Sequence, residues 1–155
     1  MDNLDDVDTD EMHNQVGVLD WELKMALGIP LMKCPAMNIK QAEELHHESY
    51  PWEEKRYVAL LKWEELIREE LLWTKTFKEA SYLLEHSPDT RDSQVRLEVY
   101  AKWEELALKE IALVDDLERL ADIQFRVHAG SPVTKKIALK VLPLFQKKSR
   151  HQRAR

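Results

Sequence analysis

At 155 residues, 34% charged and with only three glycines, the chain has the length of one domain and the composition of solvated helices. A sheet protein needs more turn glycine and more β-branched alternation, so that class is excluded. The formal net charge of −6 conceals a segregation: residues 1–23 carry eight acids and no Lys or Arg, whereas nine basic residues and no acid follow Asp122.

Residues 1–16 are acidic and poor in core-forming side chains, and they are expected to be disordered when free. Residues 17–50 read as short helices. Leu19, Leu23 and Leu27 recur at helical spacing until Gly28 and Pro30 end the first of them. Asn38 reads as an N-cap with Gln41 at the N3 position of a capping box, which starts a helix from Ile39 to about Glu48.

Residues 51–129 read as a central hairpin. Pro51, Glu53 and Glu54 suit a first helical turn. From there to about Glu85, Leu60, Trp63, Ile67, Leu71, Phe77, Ala80 and Leu84 form one continuous stripe. Ser87-Pro88-Asp89-Thr90 supplies the turn. The second arm is expected from near Asp92 to about His128, on a stripe of Tyr100, Trp103, Ala107, Ile111, Val114, Leu117, Ala121 and Phe125, with Gly130 as its left-handed cap. Such arms would each be on the order of 50 Å long. Their broad apolar faces exceed what one hairpin can cover, which implies self-association. Residues 130–155 follow as a C-terminal helix and basic tail: Ser131-Pro132 starts the helix, Pro143 disrupts it, and the end is mobile. The fold class is therefore all-α, a long antiparallel helical hairpin with short flanking helices, oligomeric.

The pentapeptide Lys-Trp-Glu-Glu-Leu occurs twice, at Lys62–Leu66 and Lys102–Leu106. On a helix the Trp and Leu share a face while the Lys and Glu point outward. Core packing accounts for such a Trp more readily than a partner contact does. The partner reading stays open, with Trp63, Ile67, Trp73, Trp103 and Ile111 as the candidate oligomer or partner interface.

Signals for catalysis are weak. Glu43-Glu44-Leu45-His46-His47-Glu48 holds Glu-x-x-His twice in overlapping registers, the spacing of di-iron bundles, but no second copy exists elsewhere. Cys34 lacks a second thiol, and Gly17, Gly28 and Gly130 are isolated, so neither a zinc site nor a phosphate loop is spelled out. Glu64-Glu65 and Glu104-Glu105 read as solvated pairs. No enzyme activity, metal or cofactor is expected. One cysteine and no long apolar run point to a reducing compartment without a membrane, the cytoplasm.

The basic C-terminus carries the functional signal. Lys135, Lys136, Lys140, Lys147, Lys148, Arg150, Arg153 and Arg155 would suit DNA phosphates and an acidic protein about equally. Oligomerisation would multiply a weak contact of either kind.

Ser87-Pro88 followed by Leu97-Glu98-Val99-Tyr100-Ala101 at the start of the second arm resembles the small terminase subunit of myovirus-type tailed bacteriophages. The resemblance spans about Glu53 to Asp122. It implies a ring built from the central hairpin, DNA as a possible partner, and assistance to a separate large motor subunit that holds the ATPase and nuclease. It would place the protein in the host cytoplasm, and it transfers no catalytic residue. The alternative is a protein-binding adaptor or structural subunit of a larger complex, without nucleic acid.

Overall fold

The computed structural model describes residues 7–89 and 93–153, the last seven as helical backbone alone. Among the described residues every regular element is a helix: α1 Thr9–Val16, α2 Asp20–Ala26, α3 Ile39–Glu48, α4 Glu54–Trp73, α5 Phe77–Glu85, α6 Val95–Ile111, α7 Leu117–Phe125 and α8 Pro132–Arg153. The all-α reading holds, but the two long arms do not. Each is broken into a longer and a shorter helix.

Both breaks have local causes. After Trp73, Thr74 is buried and its N–H closes a tight turn onto the Leu71 carbonyl at 3.3 Å. Thr76 then caps α5: its hydroxyl accepts from the Glu79 N–H at 3.2 Å and donates to the Glu79 carboxylate at 2.8 Å. In the second arm Val114 is buried beyond the end of α6, and the Asp116 carboxylate caps α7 by accepting from the Glu118 N–H at 2.9 Å. Threonine and aspartate offer the backbone more as caps than inside a helix, so the chain restarts at both positions.

The break turns the second stripe. Leu120 and Ile123 are buried in α7, whereas Ala121 and Phe125, which an unbroken helix would bury, face solvent. The α7 helix ends at Phe125, short of His128, so Gly130 does not cap it; with φ 83° it serves the turn before α8. The start foreseen at Asp92 lies outside the described residues.

Two other expectations change. Residues 9–16, read as disordered, form α1, because Asp8 caps the Glu11 N–H at 3.0 Å and Gly17 closes the far end at φ 73°. The first six residues lie outside the description. Pro143 does not end α8, which continues to Arg153. Proline removes one bond to the Leu139 carbonyl, and at this exposed position water can take that carbonyl instead. Elsewhere the local reading stands: Asn38 caps the Gln41 N–H at 2.9 Å, although the Gln41 side chain accepts from Met37 rather than Asn38.

From α3 onward short and long helices alternate, at 10, 20, 9, 17, 9 and 22 residues. Each short-to-long connection holds a serine followed closely by proline: Ser49-Tyr50-Pro51, Ser87-Pro88 and Ser131-Pro132. Both ends of α7 lie forty positions after those of α5 (77 to 117, 85 to 125), the same offset that separates the two Lys-Trp-Glu-Glu-Leu copies (62 to 102).

The chain divides into two compact units, Met1–Glu70 with His86–Val95, and Leu71–Glu85 with Arg96–Arg155. In the first, Ala42, Val58, Ala59, Trp63 and Ile67 are buried, and Trp21 stacks on Tyr57 at 4.2 Å between ring centroids. In the second, Ala80, Val99, Trp103, Ala107, Ile111, Leu120 and Val133 are all nearly inaccessible. One pentapeptide tryptophan sits in each.

Candidate functional site

The tryptophans are anchors. The Trp63 indole N–H donates to the His86 carbonyl at 2.6 Å, and its ring lies 5.5 Å from His46 and 5.8 Å from His47. The Trp103 N–H donates to the Ser81 hydroxyl at 3.0 Å, and its ring lies 5.7 Å from both Phe77 and Tyr100. Tyr100 in turn stacks on His128 at 3.7 Å and accepts its backbone N–H at 2.9 Å. The flanking charges close on each other at the surface, Lys62 with Glu65 and Lys102 with Glu105. Buried at 3% and 0% exposure, Trp63 and Trp103 have no free face for a partner, and neither do Ile67 and Ile111. Of the five residues read as a candidate interface, Trp73 alone is exposed, at 74%. The indole requires both an apolar bed and an acceptor, and here the chain supplies each from within.

Glu43, His46 and His47 do not converge on one point. The Glu43 carboxylate meets His86 Nδ1 at 3.0 Å, while His46 is buried against Trp63 with its own Nδ1 unpartnered. Burial, then the positive Arg56, then His47 push the His46 pKa down to about 4, so this imidazole is neutral at pH 7. Arg56 is held there because its guanidinium donates to the carbonyls of His46 at 3.1 Å and Ser49 at 2.8 Å, closing the end of α3. Among the described residues no three His, Cys, Asp or Glu side chains are grouped to hold a metal ion.

The basic face of α8 is partly committed within the second unit. Lys136 Nζ donates to the Leu108 carbonyl at 2.6 Å; Lys140 Nζ donates to the Ala112 carbonyl at 3.0 Å and meets Asp115 at 3.3 Å. These two lysines place positive charge at the negative end of α6, where the Glu110 and Ile111 carbonyls also accept from the Leu113 and Val114 N–H groups. Lys136 and Lys140, both read as candidate contacts for DNA or an acidic partner, reach carbonyls of this chain at the end of α6. Lys135 is exposed. The side chains of Lys147, Lys148, Arg150 and Arg153, and all of Arg155, lie outside the described residues.

The second unit also leaves large apolar side chains in water. Phe125 is 91% exposed, Leu72 80% and Leu113 79%, while Leu139, Leu142 and Phe145 on α8 are each more than half exposed. A pocket of about 190 Å³ is lined by Phe77, Arg119, Asp122, Ile123 and Arg126. Its two arginines already pair, Arg126 with Glu85 and Arg119 with Glu110 at 3.2 Å. Sequence reasoning placed Phe125 in the core and so missed it. The Asp115-Asp116 pair, a cap in waiting, was the signal that the stripe would shift there.

No protein-family model matches the chain, and no curated protein or solved structure matches it either. No helix among the described residues is long and apolar enough to cross a membrane.

Proposed function

We propose that this chain is a non-enzymatic helical interaction protein that assembles with itself and with a protein partner through the exposed apolar side chains of its second unit. The observation that carries the reading is Phe125, 91% exposed, in company with Trp73 and Leu113 in the same unit. Each such side chain left in water forgoes roughly 1.5–3 kcal/mol of burial that a partner can recover. Aromatic anchors of this kind dominate binding energy at protein interfaces. The test is light scattering of the full chain at micromolar concentration, with Phe125→Asp and Trp73→Asp as variants. Self-association that both variants weaken supports the reading. A monomer at every concentration, together with no partner interaction sensitive to these variants, overturns it.

A second reading adds nucleic acid, as the likeness to small terminase subunits implies. It is favoured by the run of basic residues after Asp122, four of them on the last turns of α8, in a stretch without acids. Such a protein would be an assembly or DNA-packaging accessory that meets phosphate through its C-terminus. Its affinity for duplex DNA would fall steeply with salt and vanish on deletion of residues 146–155, with assembly intact. Absent or salt-insensitive DNA binding leaves the adaptor reading alone.

A further inference from the structure

We propose that α3 is an acid-released cover within the first unit: protonation of the buried His46 ring lifts this helix from α4 and bares the Trp63 indole, while the second unit stays folded. The helix is lightly held. Its ten residues bury three side chains, Ile39, Ala42 and His46. Residues 27–38 before it and 49–53 after it are not helical, so α3 can move without carrying α2 or α4 along. His46 is the largest group it buries against α4, 5% exposed, with its ring 5.5 Å from that of Trp63.

Charge decides what acid does there. Two groups that face His46 are Arg56 of α4, whose guanidinium donates to the His46 carbonyl at 3.1 Å, and His47 of α3, whose ring lies 5.5 Å away. After burial itself, these two cations are what disfavour a proton on the ring. Glu43, one turn earlier on α3, meets His86 Nδ1 instead, at 3.0 Å, on the segment that follows α5. Glu44 and Glu48 are exposed, and His46 Nδ1 has no partner among the described residues. An imidazolium here is thus a buried cation beside a cation. The bonds from Arg56 to the His46 and Ser49 carbonyls tie down the end of α3, so the group that opposes protonation also holds the closed state at neutral pH. Lifting α3 hydrates the charge by giving up the burial of Ile39, Ala42 and one face of Trp63. Unfolding the chain would give up every other core side chain as well, so the smaller opening wins.

Amide hydrogen exchange of the full chain, read by mass spectrometry and corrected for the pH dependence of chemical exchange, follows α3 and α6 side by side. With a folded pKa of about 4 and an unfolded value of 6.5, the opening of residues 39–48 should rise roughly 50-fold between about pH 7 and pH 4.5. Residues 95–111 should change far less, and protection should return at neutral pH. His46→Leu and His46→Gln cannot take a proton, and each should remove the pH dependence; either one that circular dichroism finds folded is enough. In the wild type, an NMR titration of the His46 ring should have its midpoint well below 6.5, and an ordinary midpoint overturns the proposal whether or not the variants fold. Protection of α3 that stays level across the window overturns it as well. So does equal loss over α3 and α6, which is unfolding of the whole chain. A slope that survives in the variants moves the trigger to another group, such as the Glu43–His86 pair, and overturns the role given to His46.

Discussion

Residues 54–85 and 95–125 share a plan and differ in what they present outward. Forty positions apart, Ala59 and Val99, Trp63 and Trp103, Thr74 and Val114, Ala80 and Leu120, and Leu83 and Ile123 are buried as pairs. Thr76 and Asp116 cap the short helices at matching points. Trp73 and Leu113 are exposed at matching points too. The shared pentapeptide therefore sets the same anchor twice, at the centre of a long helix, while its neighbours decide what the anchor grips. One indole meets a backbone carbonyl among histidines; the other meets a serine hydroxyl among Phe77 and Tyr100. At the end of the short helix the first region ends on Glu85 and the second on Phe125. A charged residue and an aromatic thus stand at the same point of the repeat, and only the second repeat leaves a large apolar side chain in water there.

If the two anchors are equivalent, Trp63→Ala and Trp103→Ala should each cost about 3–5 kcal/mol in denaturant unfolding, with Trp103 the larger because its ring is enclosed and packed on two aromatics. A cheap Trp103→Ala would break the parallel. Acid should then separate the regions. The folded pKa of His46 is about 4, against an unfolded value of 6.5, so between them the unfolded chain holds more protons. Its contribution is complete above about pH 6.5 and declines as the pH falls toward 4, by on the order of 2 kcal/mol. Thermal melts across that window should show this slope, and His46→Leu should flatten it.

Smaller effects test the caps. Thr76→Ala and Asp116→Ala should each lose about 1 kcal/mol, and similar losses would support matched restarts of the helix. Smallest of all, Phe125→Asp should leave unfolding stability within about 0.5 kcal/mol of wild type while weakening association. A large loss of stability there would mean the ring packs within the chain.

Local chemistry was readable wherever a residue carries its own instruction. Asn38 caps α3, Gly28 takes a left-handed φ of 72° after α2, and Ser131-Pro132 opens α8, as their sequence contexts imply. The two breaks are also spelled out, in Thr76-x-x-Glu79 and in Asp115-Asp116, inside apolar stripes whose spacing runs on past them. Periodicity over many residues cannot register a phase shift that one cap introduces. Pro143 failed in the opposite sense: a breaker by composition, it is tolerated because its position is exposed.

By itself, then, the sequence determined an all-helical chain, its caps, the paired pentapeptides and the charge segregation, because each follows from residue type and near-neighbour spacing. Only the tertiary structure decided which faces are used up. Trp63, Ile67, Trp103 and Ile111 lie inside, Lys136 and Lys140 serve the end of α6, and Phe125, Trp73 and the Leu139–Phe145 stripe are left outside. Whether an apolar or basic side chain is spent on its own chain depends on partners distant in sequence, and helical spacing carries no record of them.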